Sequence, residues 1–456
     1  MLPENLDPGI LDKEYVWHPF TPMRLWLEDD APVIERGEGS YLIDTRGCRY
    51  LDGVSSLWCT IHGHNHPQIT AAIKAQADRI AHSTTLGLAN VPSAMLARRL
   101  VELAPRGLTK VFYSDNGSTA VEVALKIAYQ YRCLAPEAAE RKKTGFISFR
   151  NAYHGDTLGS VSVGGIELFH GAFRDLLFPV EFAEYPYYYR LGCSRSRQAY
   201  LEDCLDSLER LMQRVAERTG ALIIEPLVQG AGGMIIAEPG FLSGVRALCE
   251  RFDILLIADE VATGFGRTGK MFAVEHENVT PDFLCLAKGL TAGYLPLAAT
   301  LVTRKIFDRF LGSGESPLTF YHGHSFTGNP LAAAAAQASL EVFEKEHVLE
   351  QMQPKIEFLH ELLESKIAPL AIVGEVRQCG FMTGIELVAD LKQREPFPPS
   401  LRVGAKVTRE ARKGGVIIRP LGDVLVLMPH LSFSKDELKQ LVLVTARSIE
   451  AVQAGL

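Results

Sequence analysis

Two ionisable residues stand directly after neighbouring apolar runs in the middle of the chain. Asp259 follows the run at 254–258, and Lys288 follows the run at 283–287. Short apolar runs of this kind are typical of buried strands, and the carboxyl ends of neighbouring parallel strands share one crevice. An amine there can form a Schiff base with an aldehyde cofactor, and a carboxylate can keep a pyridine nitrogen protonated. The pair therefore indicates pyridoxal phosphate, although a lysine at a strand end and an aspartate that caps a turn can also be purely structural.

A candidate anion site lies upstream, in the sequence S-D-N-G-S-T-A-V-E at 114–122. It joins a β-rich run at 109–113 to an amphipathic segment at 123–131. The N-terminus of a helix presents free backbone N–H groups and attracts phosphate, and the hydroxyls of Ser118 and Thr119 add donors. The same residues also make a good helix cap, and the two roles are compatible.

An aromatic residue also occupies a predicted strand end. The strand at 145–149 runs into R-N-A-Y-H-G-D-T, which places Tyr153 and His154 just beyond it. The flat ring of Tyr153 can stack on a planar cofactor, or it can simply pack within a turn.

Three histidines, His62, His64 and His66, alternate in I-H-G-H-N-H-P. Alternate histidines can bind a metal. However, glycine, asparagine and proline between and after them favour a turn that enters a helix. The sequence therefore predicts no metal site here.

A glycine-rich segment, G-F-G-R-T-G-K at 264–270, allows a different function. It matches the dinucleotide-binding pattern G-x-G-x-x-G and nearly matches the phosphate loop of nucleoside triphosphatases. However, residues 260–263 separate it from the preceding strand, and Met271 stands where the phosphate loop needs a serine or threonine. A nucleotide-binding protein is therefore a remote alternative.

The composition is that of a globular protein with more than one core. The chain has 456 residues, of which 47% are apolar and 22% charged, within the ordinary range. A net charge of −7 without a basic block gives no support for nucleic-acid binding. Eight scattered cysteines without a C-x-x-C pair suit free thiols in a reducing cytosol. The chain shows no signal segment and no apolar run of about 18 residues, so a cytoplasmic location and no membrane partner are expected.

The order of predicted elements indicates an α/β fold with two parts. Strands and helices alternate from about 69 to 305, which predicts a doubly wound, mostly parallel sheet, and residues 165–200 are expected to be irregular surface loops. After a long helix at 331–344, the chain is predicted to form a compact α+β lobe. Its expected elements are strands at 372–376, 382–388, 416–419 and 424–428 and helices from 355, at 403–413 and at 435–452.

Taken together, four motifs closely resemble the class III, fold-type-I pyridoxal phosphate aminotransferases. These are N-G-S-T-A-V-E at 116–122, D-E-V-A-T-G-F-G-R-T-G-K at 259–270, A-K-G-L at 287–290 and H-G-H-S-F-T-G-N-P at 322–330. W-H-P-F-T-P-M, S-S-L-W, I-H-G-H-N-H-P, N-A-Y-H-G-D-T and I-I-R-P-L-G-D further resemble the branch of biotin synthesis that aminates 8-amino-7-oxononanoate. The resemblance implies a large cofactor-binding domain at 69–335 and a smaller domain made of segments 1–68 and 336–456.

The resemblance also implies roles for individual cofactor-binding residues. Lys288 would bind the aldehyde covalently and later carry a proton between the substrate and the cofactor. Asp259 would keep the pyridine nitrogen protonated, and Tyr153 would stack on the ring. Gly117 and Ser118 would bind the phosphate.

Substrate contacts and a partner subunit are implied in the same way. The family pattern is a homodimer with shared active sites, in which Ser325 would reach the phosphate of the neighbouring subunit and Gly323 would lie beside the substrate. Arg419 would pair with the carboxylate of the keto acid, a role that suits a planar guanidinium. Trp58 would line the substrate pocket.

Three motifs depart from the commonest pattern of this branch. Phe20 replaces a tyrosine, Leu57 replaces the first of two tryptophans, and His324-Ser325 replaces Pro-Thr. The tyrosine and the first tryptophan are expected to line the pocket for S-adenosylmethionine, the amino donor. A lysine-using branch carries H-P-F-T and one tryptophan, so either donor fits the resemblance. Another class III ω-aminotransferase, acting on a diamine or an amino acid, is the alternative within the fold.

Overall fold

The computed structural model describes residues 7–192, 195–313, 316 and 318–456. Within this part of the chain, no helix is long and apolar enough to cross a membrane. The helices are α1 (Pro8–Tyr15), α2 (Met23–Glu28), α3 (Ser55–Trp58), α4 (Pro67–Ala77), α5 (Val91–Leu103), α6 (Gly117–Cys133), α7 (Leu158–Ser162), α8 (Glu167–His170), α9 (Arg197–Val215), α10 (Phe241–Arg251), α11 (Arg304–Arg309), α12 (Pro330–Lys345), α13 (Val348–Lys366), α14 (Val403–Lys413) and α15 (Lys435–Gln453).

The strands form three larger sheets and one two-stranded hairpin in the described residues. They are β1 (Ile34–Glu38), β2 (Tyr41–Asp44), β3 (Arg49–Asp52), β4 (Leu108–Ser114), β5 (Gly145–Phe149), β6 (Glu181–Ala183), β7 (Thr219–Ile224), β8 (Val228–Gln229), β9 (Ile235–Ile236), β10 (Leu255–Asp259), β11 (Phe283–Leu286), β12 (Ala298–Thr303), β13 (Val373–Cys379), β14 (Met382–Leu387), β15 (Val416–Ile417), β16 (Arg419–Leu421) and β17 (Val424–Leu427).

The central sheet has seven strands in the order β4-β12-β11-β10-β7-β5-β6. The five strands from β11 to β6 are parallel, and only β12 runs against its two neighbours. Both faces are covered: Leu256 and Ala258 pack into one core, while Leu255 and Ile257 pack into the other. Each fully buried leucine or isoleucine side chain stabilises the fold by about 1.5–3 kcal/mol. The prediction of a doubly wound, mostly parallel sheet is confirmed.

The two ends of the chain share a second sheet. The N-terminal strands β1, β2 and β3 are antiparallel, and the C-terminal strand β15 adds to β3 in parallel, with Val416 opposite Leu51. A third, antiparallel sheet has the order β13-β14-β17-β16 and belongs entirely to the C-terminal part. The smaller part of the fold is therefore built from both ends of the chain, as the resemblance implies.

Two predicted elements differ from the structure. Residues 165–200 are not only loops, because Glu181–Ala183 pairs with β5 at the edge of the central sheet. The predicted strand at 416–419 is two strands in different sheets, with β15 on β3 and β16 on β17. Both errors concern very short strands whose pairing depends on partners distant in sequence, which local hydrophobic patterns do not reveal.

Candidate active site

A cavity of about 660 Å³ opens beyond the carboxyl ends of the central strands. Asp259 is the last residue of β10, and Lys288 follows β11 by two residues. Because β10 and β11 are parallel neighbours, both side chains reach this cavity, as predicted. The predicted site residues that line it are Trp58, Gly117, Ser118, Tyr153, Asp259 and Lys288.

Lys288 carries the amine in this cavity. Its side chain is half-buried, and its Nζ lies 5.1 Å from the centre of the Trp58 ring. Burial lowers the pKa of Lys288, while Asp259 and Glu225 oppose the shift. A lowered pKa increases the fraction of neutral amine, which is the nucleophilic form.

The backbone around this amine is strained. Lys288 has φ of 37°, and Ser55, Ser56 and Trp58 also have positive φ. Residues with side chains rarely adopt this left-handed conformation, which concentrates where surrounding structure imposes it, often at functional sites. The fold thus holds Trp58 and Lys288 in conformations that neither would adopt by itself.

Asp259 is buried and tied to a histidine. Its Oδ2 lies 2.7 Å from Nδ1 of His154, and its Oδ1 accepts a hydrogen bond from the Val261 N–H at 3.0 Å. The His154 side chain is fully buried, and its Nε2 has no hydrogen-bond partner among the described residues. This histidine was noted in the sequence beside Tyr153 but not assigned to the site. Its position directly after a strand was the available signal.

Glu225 is a second acid that sequence reasoning missed. It follows β7, the other parallel neighbour of β10. Its two carboxylate oxygens accept hydrogen bonds from the N–H groups of Tyr153 and Gly230, each at 3.0 Å. Burial raises the pKa of Glu225 to about 7; Asp259 adds to the shift, and His154 opposes it. An acid at the end of a third buried strand was visible in the sequence, but the strand order was not.

The predicted anion site forms at the start of α6. Asn116 caps the helix, and its side chain and that of Thr119 form a reciprocal capping box, so Thr119 is used in the cap. Gly117 has no room for a side chain, because an added Cβ would lie 2.5 Å from Cγ1 of Val261. The Ser118 hydroxyl accepts a hydrogen bond from the Asp156 N–H at 3.1 Å. Gly117 and Ser118 therefore begin a helix at the cavity wall, where backbone N–H groups favour an anion.

Tyr153 forms another part of the wall. Its hydroxyl donates to Oδ2 of Asp156 at 2.6 Å, and its ring meets the edge of Phe169 at 6.2 Å. A planar ring, a carboxylate, an amine and a helix N-terminus thus surround one cavity. These are the groups that would bind the ring, the pyridine nitrogen, the aldehyde and the phosphate of pyridoxal phosphate, so the residues fit this cofactor.

Three predicted site residues lie outside the wall of this cavity. Gly323 and Ser325 are exposed, on a loop whose His324 Nδ1 lies 2.7 Å from Oδ2 of Asp115. Arg419 is half-buried at the start of β16. Burial lowers the pKa of Arg419, and Tyr153 opposes this shift.

The rival glycine-rich segment has a structural role. Its Arg267 is buried and donates to the backbone oxygens of Thr60 at 2.7 Å and Pro429 at 2.8 Å. Burial lowers the pKa of Arg267 to about 10. The segment therefore connects the N-terminal and C-terminal parts of the chain.

The three histidines of I-H-G-H-N-H-P use separate partners. The Nε2 atoms of His62, His64 and His66 lie within hydrogen-bond distance of Ser339, Asp52 and Glu346 respectively. Over the described ranges, no group of three or more potential ligands is arranged to hold a metal ion.

Comparisons with known proteins agree on one family. The model of the family "Aminotransferase class-III" matches residues 28–448. The adenosylmethionine-8-amino-7-oxononanoate aminotransferase of Nitratidesulfovibrio vulgaris is 55% identical over 97% of this chain and 81% of that protein. The crystal structure of the enzyme of the same name from Methanocaldococcus jannaschii superposes with a TM-score of 0.91 at 47% identity, covering 97% of this chain and 98% of that one. An (S)-enantioselective omega-transaminase from Thermomicrobium roseum has a TM-score of 0.92 at 33% identity, with 98% of each chain covered.

Proposed function

This chain belongs to the class-III aminotransferase family, and we propose that it converts 8-amino-7-oxononanoate to 7,8-diaminononanoate in biotin biosynthesis. The observation that carries the proposal is 55% identity, over 97% of the chain, to a protein named for that reaction. The cavity supports it independently, because an amine and a carboxylate converge there from adjacent strand ends.

Members of this family depend on pyridoxal phosphate, which supplies an aldehyde that captures amines and a ring that accepts electrons. In this chain, the Lys288 amine would hold the aldehyde. The Asp259 carboxylate, fixed by His154 and the Val261 N–H, would hold the pyridine nitrogen. We propose Tyr153 as the residue that stacks on the ring.

The N–H groups of Gly117 and Ser118 would bind the phosphate, together with the Ser118 hydroxyl. The Gly117 backbone lies against Val261, two residues after Asp259. The phosphate-binding residues and the carboxylate are therefore fixed relative to each other by direct packing.

Lys288 is proposed as the residue that moves the proton during amino transfer. Its lowered pKa favours the neutral amine, which can accept a proton and return it at another atom. The carboxylates of Asp259 and Glu225 stabilise the ammonium form that results. The amine therefore has both a lowered pKa and nearby carboxylates that favour its protonated form.

We propose that the substrate lies between Trp58 and Arg419. Trp58 presents an apolar wall to the aliphatic part of the keto acid, and Arg419 would bind its far carboxylate. Gly323 would reach the substrate from a neighbouring subunit.

A homodimer would complete these sites. The loop that carries Ser325 exposes large apolar side chains, among them Tyr321 at 87% exposure, and Leu86 nearby is 88% exposed. The two segments adjoin, since the Thr85 hydroxyl donates to the Thr327 backbone oxygen at 3.3 Å. Exposed apolar surface of this kind is typical of protein interfaces. A second copy that covers it would bring the partner's loop, with Ser325, to the cavity.

The sheets support a division into two domains. Residues 69–335 contain the central sheet, and β15 of the C-terminal part pairs with β3 of the N-terminal part. We propose that 69–335 form the large cofactor-binding domain and that 1–68 and 336–456 form the smaller one. The cavity lies where both contribute residues.

S-adenosylmethionine is the proposed amino donor, with lysine as the alternative. The relatives' name supports the first, whereas Phe20 and Leu57 support the second. Leu57 lines the cavity, and Phe20 packs edge-on against Phe169 at 5.3 Å, next to Tyr153. Leu57 therefore lies in the cavity wall, and Phe20 lies one aromatic contact behind Tyr153, which is where we propose that the donor binds.

The test is a pair of half-reactions on purified holoenzyme. S-adenosylmethionine and lysine are offered separately while the visible absorption of the bound cofactor is followed, and 8-amino-7-oxononanoate is then added. The proposal expects 7,8-diaminononanoate, detected by mass spectrometry, after one of the donors. If neither donor gives the diamine while a simple ω-amine aminates the cofactor, the chain is another class-III ω-aminotransferase, as the omega-transaminase fold similarity allows.

A further inference from the structure

We propose that Arg377 is a positioning residue for substrate binding, because it holds from behind the turn that forms one wall of the active-site cavity. The turn comprises residues 230–234 and connects β8 to β9. Arg377 lies on β13, in the C-terminal sheet. The expected effect on substrate binding rests on the proposed function, whereas the expected effect on the position of Trp58 in the cavity wall does not.

The front of the turn shapes the cavity. Ala231 lines it, and the Gly230 N–H donates to Glu225 at 3.0 Å. A Cβ added to Gly230 would lie 3.1 Å from Cζ3 of Trp58, so the indole lies directly against the backbone of the turn. Because Trp58 in turn faces the Lys288 amine at 5.1 Å, the position of the turn sets how deep the indole sits.

The back of the turn is held by one guanidinium. Arg377 donates from Nη2 to the Gly233 backbone oxygen at 2.7 Å and from Nε to the Met234 backbone oxygen at 3.1 Å. Its Nη1 donates to Glu375 at 2.6 Å and also to Glu386. Arg377 is only 6% exposed. Every nitrogen of this planar group is therefore in use, and two of the bonds fix the turn.

The cluster behind Arg377 is itself rigidly held. Glu386, on β14, is buried and also accepts hydrogen bonds from Arg190 and from the Tyr187 hydroxyl. On the same strand, a Cβ added to Gly384 would lie 2.9 Å from Cβ of Met234 and 3.1 Å from the Gly233 oxygen. The backbone of β14 at Gly384 thus packs closely against the turn, and Arg377 binds two of its backbone oxygens. Both contacts restrain the position of the turn.

Loosening the turn should affect binding more than chemistry. Trp58 and Ala231 would move, whereas Asp259 and Lys288 are positioned by β10 and β11 in the central sheet. Because the reacting groups stay in place and only the wall that contacts the substrate moves, the loss should appear in KM for the keto acid, with kcat nearly unchanged.

The experiment compares three variants of the holoenzyme. Arg377→Lys keeps the charge opposite Glu386 but loses the planar fork that reaches both backbone oxygens. Gly384→Ala displaces the same turn from the other side without changing any charge. Arg132→Lys is the matched control, because Arg132 is 1% exposed and donates to the Asp253 carboxylate and backbone oxygen, away from the cavity.

Two readouts are measured in parallel. The first is KM and kcat for 8-amino-7-oxononanoate. Loss of the apolar Trp58 contact is expected to raise KM roughly 10- to 100-fold in Arg377→Lys and in Gly384→Ala, and KM should stay at the wild-type value in Arg132→Lys. The second is the emission of Trp58 in a Trp17→Phe/Trp26→Phe background. A red shift and faster quenching by acrylamide are expected for the two wall variants only.

Equal changes of KM in Arg377→Lys and Arg132→Lys, with unchanged Trp58 emission, would overturn the proposal and leave Arg377 a purely stabilising residue. If Arg377→Lys does not fold, the same two measurements on Gly384→Ala, KM for the keto acid and Trp58 emission, decide whether the turn positions the cavity wall. If the wild-type protein does not turn over 8-amino-7-oxononanoate, the proposed function is wrong, and the Trp58 emission alone decides whether Arg377 positions the wall.

Discussion

Two buried charge clusters lie on opposite sides of one turn, and they are built in opposite ways. The wall cluster comprises Arg377, Glu375, Glu386 and Arg190, and each of its charges has an opposite charge in direct contact. The Glu386 carboxylate would have its pKa raised by burial, but Arg377, Tyr187 and Arg190 together lower it below the ordinary range. Burial raises the pKa of Glu375, although Arg377 opposes that shift, so the charge pairing of this cluster rests mainly on Glu386.

The active-site cluster comprises Lys288, Asp259, His154 and Glu225. Asp259 is paired with His154, but burial is not compensated at Lys288 and Glu225. The pKa of Lys288 is lowered and that of Glu225 is raised to about 7, in each case chiefly because of burial. Perturbed groups of this kind, in a cavity, are typical of catalytic sites, whereas paired groups are typical of structural ones.

Glu260 is a third buried acid, and it shows that a raised pKa alone does not identify a catalytic residue. Burial raises the pKa of Glu260 to about 7 as well. However, its carboxylate accepts hydrogen bonds from the N–H groups of Ala273 at 2.7 Å and Val274 at 2.8 Å, so it holds the start of a short helical turn. A shifted pKa marks a functional residue only together with an accessible site and groups it can act on.

Lys288→Ala should give the largest effect on activity. Turnover is expected to fall by at least about 1,000-fold, since both amine capture and proton transfer depend on this side chain. The melting temperature should not fall, because the amine is buried without a directly paired carboxylate. The measurement is steady-state turnover together with calorimetry. A variant that kept more than trace activity would remove Lys288 from the mechanism, and a large loss of stability would break the contrast between the clusters.

Asp259→Asn should be nearly as damaging, with a loss of roughly 100- to 1,000-fold in kcat. The amide keeps the shape but cannot keep a pyridine nitrogen protonated. Glu386→Gln is the matched control from the wall cluster: it should keep kcat but lose roughly 3 kcal/mol or more of stability, because Arg377 and Arg190 would be left partly unpaired. Urea denaturation and stopped-flow assays distinguish the two. Similar kcat losses in both variants would contradict the separation of roles.

The sequence was most informative about site residues whose positions depend only on the elements next to them along the chain. Asp259 and Lys288 each follow an apolar run, so their strand-end positions could be predicted without knowing the sheet. The anion site at 114–122, with the Ser118 hydroxyl as a donor, was predicted for the same reason, since a strand, a small-residue turn and a helix are contiguous; the role of Gly117 was implied only by the family resemblance. These residues do line one cavity.

The rest of the site depends on which distant segments become neighbours. Glu225 joins the cluster because β7 pairs with β10, and strand order cannot be inferred from hydrophobic periodicity. The wall cluster combines Arg190 with Arg377 and Glu386, nearly 200 positions away along the chain. No pattern within a short window relates these residues, so the support behind Trp58 could be seen only in the folded protein.

Arg419→Ala tests whether this arginine belongs with the cavity or with the structural charges. If it binds the far carboxylate of 8-amino-7-oxononanoate, the loss is roughly 10- to 150-fold in affinity for the keto acid, equivalent to about 1.5–3 kcal/mol. Donor-driven amination of the cofactor should be unaffected unless the donor uses the same arginine. The two half-reactions are measured separately. Equal damage to both, with a lowered melting temperature, would place Arg419 among the structural charges.

Glu225 and Glu386 should contribute to the free energy of unfolding with different pH dependence. The variants Glu225→Gln and Glu386→Gln measure this difference between the two clusters. Glu225 has its pKa raised from 4.5 to about 7, so between these values the folded state holds a proton that the unfolded state has released. Stability therefore falls as the pH rises through this window. Glu386 has its pKa lowered, so its contribution is fully present above the unfolded value of 4.5 and is lost only as the pH falls through the folded value.

Consequently, Glu225→Gln should gain stability relative to the wild type between pH 5 and pH 8, by up to roughly 3 kcal/mol. Glu386→Gln should be destabilised by the same amount at both pH values. Urea denaturation of the wild type and both variants is measured at pH 5 and pH 8. Subtracting the wild-type free energy of unfolding from that of each variant cancels the contribution of the other titrating groups. A Glu225→Gln curve parallel to the wild type would mean that the carboxylate is already ionised when buried. In that case the active-site cluster would be as well paired as the wall cluster, and the comparison would fail.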